Sequence, residues 1–357
     1  MRILWLSWRD IKNPDSGGAE KVAIETAKRL AKNNHQVTIF TSSFKNAKKK
    51  EFVAGVDIVR QGNRITCRLW AYLYYLRNKN FDILIDEINT IPFFSIFYAR
   101  EKVIALIHQL ARQYWFFQTF WPLNLLGFIT ESFYLKFYKK VPTLVISQST
   151  KKDLQKLGFV KVAIARIGLD FVPTNSVNKQ DLILFVGRLS PVKGPQDAIK
   201  AFKTISENFP STKLCIIGRG NPRFTSHLKN LTTKLKLENK ISFEGFISEK
   251  QKNSMMQKAK VVLIPSIREG WSLVATEASA AGCIPIAYNV HGLRDSVING
   301  KTGILVEKSS EKLAKAAIDL LGNEPKRSKI AKNGFESAKK FSWDNTYEDI
   351  KNFITSR

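Results

Sequence analysis

Two glutamates set eight residues apart, Glu269 and Glu277, stand in the run REGWSLVATEASAAG over residues 268–282. Gly270 lets a ligand approach the backbone closely. The stretch from Trp271 to Ala275 then leads into a helix that carries Glu277. A loop-to-helix junction presents backbone N–H groups and the positive end of the helix dipole, which together favour a diphosphate. One carboxylate before the helix and one inside it can hold hydroxyl groups on either side of that diphosphate.

Two further pieces fit the same chemistry. The run GRLSPVKG, residues 187–194, follows an apolar strand-like run at 182–186. It places Arg188 and Lys193 at a strand's carboxyl end. Arginine can fork onto phosphate oxygens and lysine acts as a point charge. Gly17-Gly18-Ala19-Glu20 follows a first apolar run at 3–7 and reads as a glycine turn at a helix start. Either glycine piece alone is more often a plain turn.

These pieces need a scaffold, and the chain supplies one twice. Apolar runs at 3–7, 37–41, 83–85, 103–107 and 143–146 alternate with helical stretches such as 19–33. That alternation predicts parallel strands with helical crossovers. The polar stretch 173–180, PTNSVNKQ, has the composition of a linker. Beyond it the alternation restarts, with strands expected at 182–186, 213–217, 241–243, 261–264, 284–287 and 303–306 and a helix at 195–207. A chain of 357 residues accommodates two such domains. Ligands of such sheets bind beyond the carboxyl ends of the strands.

Taken in order, the motifs resemble the retaining glycosyltransferases of family 4, with the GT-B fold. To the three pieces above are added IIGRG at 216–220, FEGF at 243–246, NGKTG at 299–303 and FSW at 341–343. The resemblance implies an α/β fold of two doubly wound, Rossmann-like domains facing a cleft. It divides the chain into an acceptor-side domain, 1–174, and a nucleotide-sugar domain, 175–340, with helix 341–357 packing back on the first. It also assigns roles. Glu277 binds the donor ribose, and Glu269 lies by the donor sugar. Arg188 and Lys193 bind the diphosphate and stabilise it as it leaves, aided by amides near Ser272, Leu273 and Val274. Gly17 and Gly18 let the N-terminal loop approach donor and acceptor. Gly218, Gly220 and Phe246 lie near the base, and His108 near the sugar. The family often has His-Asp where this chain has His108-Gln109. Asp86, Glu87 and Asn89 either contact the acceptor or cap the strand end.

No cofactor is expected beyond the nucleotide diphosphate sugar. No Asp-x-Asp metal motif is evident, so metal independence is expected, with the two cations in the metal's place. No nucleophilic carboxylate stands out, so front-face attack with retention is the expected course. The rivals are weaker. A nicotinamide dehydrogenase would need Gly-x-Gly-x-x-Gly after the first strand, which is missing. A sugar-nucleotide epimerase on a related fold would need no acceptor. A basic nucleic-acid-binding protein would need a reading module, and none of the familiar signatures is present.

The formal net charge of +27 draws polyanions, whether nucleic acid, anionic lipid or phosphorylated substrates. The aromatic-dense segment 113–138 ends among Lys136, Lys139 and Lys140. It reads either as a helix hairpin capping the core or as an interfacial segment on anionic lipid. Gln118, Asn124 and Glu131 interrupt it, which argues against a full span. The three cysteines have neither metal nor disulfide spacing and suit a reducing compartment. The N-terminal apolar run is too short for a signal peptide. The expected setting is cytoplasmic, on or near a membrane face, with a glycan or lipid-linked acceptor and no nucleic acid.

Overall fold

The computed structural model describes residues 1–99, 102–112, 114–118, 121–170 and 178–356. The expected linker at 173–180 therefore lies mostly outside the described residues. The chain divides into two compact units. The first comprises Met1–Gly168 and Ser342–Arg357, the second Leu169–Phe341.

The first unit runs β1 (Arg2–Leu6), α1 (Gly18–Lys32), β2 (Gln36–Thr41), β3 (Lys50–Val53), β4 (Val56–Arg60), α2 (Cys67–Arg77), β5 (Ile83–Ile88), β6 (Val103–Ile107), α3 (Tyr114–Gln118), α4 (Leu123–Leu135), β7 (Thr143–Val145), α5 (Gln148–Lys156) and β8 (Val162–Ile164). Its sheet has the order β3-β4-β2-β1-β5-β6-β7-β8. Every pairing is parallel except the hairpin β3–β4. The strands are short apolar runs buried on both faces, such as Ile3, Leu4, Trp5 and Leu6 in β1. β5 extends past the apolar run at 83–85 and takes in Asp86 and Glu87, whose carboxylates find donors in the interior.

The second unit runs β9 (Gln180–Val186), α6 (Pro195–Asn208), β10 (Lys213–Ile217), α7 (Pro222–Lys234), β11 (Ile241–Gly245), α8 (Glu249–Lys258), β12 (Ala259–Ile264), α9 (Leu273–Ala280), β13 (Ile284–Tyr288), α10 (Leu293–Ser296), β14 (Ile304–Val306), α11 (Ser310–Leu321) and α12 (Glu324–Ala338). Its six parallel strands follow the order β11-β10-β9-β12-β13-β14. Both sheets reverse their winding once. The crevice at that switch point lies between β1 and β5 in the first unit and between β9 and β12 in the second. Ligands of open α/β sheets bind at such crevices.

After the second unit, α13 (Trp343–Thr355) belongs to the first unit again. Trp343, Tyr347, Ile350 and Ile354 recur at helical spacing and are buried, the last three in the core beneath α1. Ser342 caps the helix by accepting from the Asn345 N–H, and Arg166 forks onto Asp349 at 2.7 and 2.8 Å. A Cβ at Gly168 would come within 2.2 Å of the Trp343 indole, so only glycine fits beneath that ring.

The described residues of the segment 113–138 include α3, α4 and a 3-10 turn at Lys136–Tyr138. One side is interior. Trp115 lies on Gly127, and the buried Glu131 accepts from the backbone N–H groups of Ala111 and Arg112 at 2.5 and 2.7 Å. The other side carries Phe117, Trp121, Leu126, Ile129, Phe133 and Phe137 in exposed positions. Among the described residues no helix is long and apolar enough to cross a membrane.

Candidate functional site

In the second unit the loops after β9, β10, β11 and β12 are stitched together at the carboxyl edge. Leu189 N–H donates to the Arg219 carbonyl at 2.8 Å, Gly218 N–H to Gly245 at 2.7 Å, and Ile267 N–H to Val192 at 3.0 Å. Gly218 and Gly220 permit this approach. A Cβ on Gly218 would fall 1.8 Å from the Gly187 carbonyl oxygen, and one on Gly220 would fall 2.0 Å from that of Leu189. The stitched loops carry Arg188, Lys193, Gly218, Gly220, Phe246 and Glu269 on one connected edge.

Within that edge, Lys193 Nζ meets Glu269 Oε1 at 2.5 Å. Arg188 stands exposed at the tip of its loop. Phe246 is 70% exposed, with the Arg219 guanidinium 5.1 Å from its ring centroid. An exposed aromatic face beside a cation suits a flat π system. Ser272 caps α9 by accepting from the Ala275 N–H at 3.3 Å. Leu273 and Val274 are thus in the first helical turn, where N–H groups lack an acceptor within the helix. Glu277 lies one turn further, buried, with Lys252 Nζ of α8 at 2.8 Å from its Oε2. Glu249 holds the same lysine at 2.9 Å. Sequence reasoning missed Lys252, because nothing distinguishes it among 57 lysines and arginines.

In the first unit the loops after β1, β5 and β6 share the carboxyl edge. Gly17 is extended, with φ −157°, so its conformation does not require glycine. Its N–H donates to Glu20 Oε2 at 2.7 Å, and Glu20 Oε1 also receives Arg9 at 2.8 Å. Gly18 opens α1.

Glu87 is completely buried and gathers three donors. Trp5 Nε1 lies 2.7 Å away, Asn89 Nδ2 3.0 Å and His108 Nε2 3.2 Å. A carboxylate oxygen accepts from such donors, so the contact places a proton on His108 Nε2. The ring's Nδ1 is buried and has no partner among the described residues. Asp86 points elsewhere in the interior, accepting from Phe93 N–H at 3.0 Å, Ser95 N–H at 3.3 Å, and the Ser95 and Tyr138 hydroxyls at 2.7 Å. Burial raises its pKa above the usual carboxylate range, and these hydrogen bonds oppose the rise. Asp86 and Glu87 alternate across β5 and so serve different neighbourhoods. Among the described residues no three His, Cys, Asp or Glu side chains group as a metal-ligand set.

Comparison with known proteins matches residues 16–170 to the family model described as Glycosyltransferase Family 4, and residues 169–337 to that described as Glycosyl transferases group 1. A D-inositol 3-phosphate glycosyltransferase of Corynebacterium glutamicum is 34% identical over 167 residues, which is 45% of this chain and 40% of that protein. An uncharacterized glycosyltransferase of Methanocaldococcus jannaschii is 35% identical over 179 residues, 48% of this chain and 49% of that protein. The chain thus spans less than half the length of these curated relatives. Among solved structures, sucrose-phosphate synthase from Thermosynechococcus elongatus superposes with a TM-score of 0.83 at 18% identity, covering 99% of this chain and 98% of its own. Anabaena HepE, solved with UDP and glucose, superposes with a TM-score of 0.77 at 19% identity over the whole of both chains. These two share the fold.

Proposed function

Because the chain belongs to the family 4 glycosyltransferases, with two Rossmann-like units of the GT-B type, we propose that it moves a sugar from a nucleotide diphosphate onto an acceptor hydroxyl. The observation that carries this reading is the stitched carboxyl edge of the second unit. Two cations, a helix start and two carboxylates lie there around one switch point.

Breaking the bond between the anomeric carbon and the diphosphate oxygen leaves negative charge on the diphosphate. In this reading Arg188, Lys193 and the first-turn amides of α9 stabilise that charge, in the role a metal ion plays elsewhere. Lys193 is held by Glu269 before the donor arrives. The diphosphate offers it a second anionic partner, and Glu269 remains beside the sugar to accept from its hydroxyls. Glu277, paired with Lys252, accepts from the ribose hydroxyls. Phe246 with Arg219 offers a face to the base. The acceptor oxygen attacks the face the diphosphate leaves, so configuration is retained, and the acceptor proton passes to a leaving phosphate oxygen.

In the first unit, His108 Nδ1 accepts from a sugar hydroxyl, and Gly17 and Gly18 border the reacting groups. We further read the apolar side of α3 and α4, with Lys136, Lys139 and Lys140 at its end, as a contact with anionic lipid. It brings the enzyme to a lipid-linked or other membrane-borne glycan acceptor on a cytoplasmic face. HepE was solved with UDP and glucose, which makes UDP-sugars the first donors to try.

The test is a panel of UDP-, GDP- and ADP-sugars, read by thermal shift and by nucleotide release with and without glycolipid extract. Stabilisation by one nucleotide series and acceptor-dependent release are expected. Binding to DNA or RNA with no response to any nucleotide sugar would overturn the proposal. Epimer formation from donor alone would replace it with the epimerase reading.

A further inference from the structure

Lys179 stands at the amino edge of the second sheet, one residue before β9, and is half-buried. Its Nζ donates to the carbonyl oxygen of Ala281 at 2.9 Å and to that of Met256 at 3.5 Å. Met256 lies in the last turn of α8, and Ala281 is the residue that ends α9. One ammonium group thus spans the carboxyl ends of two helices, where carbonyls lack partners within the helix and favour a cation. At the end of α9 the carbonyls of Ala278 and Ser279 are already taken. Cys283 N–H donates to the first at 2.8 Å and Gly282 N–H to the second at 3.0 Å, with Gly282 at φ +63°. Ala281 N–H closes back on the Glu277 carbonyl at 3.0 Å. A short run of backbone therefore links the Lys179 ammonium to Glu277. Nearer the carboxyl edge of the sheet, Lys252 of α8 meets the Glu277 side chain at 2.8 Å. The helix pair is closed by a lysine toward each edge.

Ion pairing does not account for Lys179. Its hydrogen bonds among the described residues go to those two carbonyls, and none goes to a carboxylate. The charges around it pair with one another. Lys260 meets Asp181 at 2.5 Å, and Arg327 meets Glu324 beside a shallow cavity of about 70 Å3 that Lys179 also lines. Burial pulls the pKa of Lys179 below the ordinary lysine value, with the buried Cys283 thiol opposing. The folded chain therefore holds this proton less readily than the unfolded one. The charge costs stability below the lowered value, and the cost vanishes as pH rises past the ordinary lysine value of about 10.4. What the cation supplies is the placement of two helix ends.

Resting on the sugar-transfer reading, we propose that Lys179 is a positioning residue for the donor ribose, holding the carboxyl ends of α8 and α9 together so that Glu277 is presented at a fixed place. It acts from the edge of the sheet opposite the donor and touches no substrate. Its effect passes through the Ala281 peptide to Glu277, and it falls on the ribose hydroxyls rather than on the diphosphate.

The experiment titrates the full chain with UDP, GDP and ADP, and then with the 2′-deoxy form of whichever binds most tightly. It compares wild type, Lys179→Met and Lys179→Arg, with a Tm for each. Wild type should prefer the ribose form. Lys179→Met should weaken binding of the ribose form by about tenfold, change binding of the deoxy form less, and keep the wild-type Tm. Lys179→Arg keeps a cation with several donors and should restore the preference. Lys179→Gln is too short to span both carbonyls, and it repeats the comparison should the methionine variant fail to fold. A lower Tm with the ribose preference intact would make Lys179 a structural lysine and overturn the proposal, as would an equal loss for both nucleotide forms. A wild type that binds none of the nucleotides ends the sugar-transfer reading itself. A wild type that binds them, with Lys179→Met unchanged, ends this proposal alone.

Discussion

Glu87 touches nothing outside the protein, yet it sets what His108 can do. Trp5 and Asn89 fix its carboxylate, and that carboxylate in turn orients the imidazole through Nε2. Glu87→Gln replaces an acceptor oxygen with an amide NH2 that faces other donors. We expect kcat to fall by about 10- to 100-fold while donor affinity holds, with the His108 ring nitrogen NMR shifts moving toward the other tautomer. An unchanged tautomer with normal kcat would remove Glu87 from this positioning role. Asp86, next in the strand, answers to pH instead. Its raised pKa means that the folded state binds a proton more readily than the unfolded state. Its stabilising contribution is full below the ordinary aspartate value of about 3.9 and is lost as pH rises through the folded value. Urea titrations from pH 4 upward should show wild-type stability falling relative to Asp86→Asn as pH rises. A difference that stays flat with pH would contradict the sign. At this scale the sequence named residue types and left their partners open. It assigned Lys193 to a diphosphate and Glu269 to a sugar without foreseeing their contact, and Lys252 reaches Glu277 only because α8 lies beside α9, which no local signal announces.

At the scale of elements, α9 begins where its cap begins. Ser272→Ala removes the oxygen that accepts from Ala275 and should cost about 1 kcal/mol of stability, seen as a lower Tm. It should also raise the donor KM by loosening the first-turn amides. A lower Tm with unaltered donor KM would separate the cap from the diphosphate site. Most parallel strands were legible because each is a short apolar run bounded by polar turns, but β8 (Val162–Ile164), only three residues long, was not foreseen. The hairpin β3–β4 was not, since Lys50–Val53 sits at the sheet edge with alternate residues exposed and offers no continuous apolar run. α2 also escaped notice. Its sequence CRLWAYLYYLR carries large apolar groups on every side, so no stripe identifies the buried face, and only Cys67, Ala71 and Tyr75 are buried. For the segment 113–138 the sequence left open a core-capping hairpin and a lipid-facing segment, and the described residues divide between interior and exposed positions. Trp115, Gly127, Glu131 and Tyr134 face the interior while Trp121 and Ile129 face out.

For the molecule as a whole, the excess of positive charge and the apolar side of α3 and α4 point to a shared prediction. Flotation with liposomes should show binding that needs anionic lipid and weakens as salt rises from about 0.1 M toward 1 M, where the screening length shrinks from about 10 to 3 Å. Ile129→Glu with Phe133→Glu should reduce binding without lowering nucleotide affinity. Equal recovery with neutral and anionic vesicles, or no loss in the double variant, would return that side to another use.

The first unit is sewn from two distant stretches of chain, with α13 filling the space beside α1 only after Leu169–Phe341 has been made. A nascent polypeptide therefore emerges with Ala165 and the inner side of α1 still missing their last partner. Chaperone demand should peak during that interval, and a ribosome stalled just short of Trp343 would expose a half that is soluble only while something else shields it.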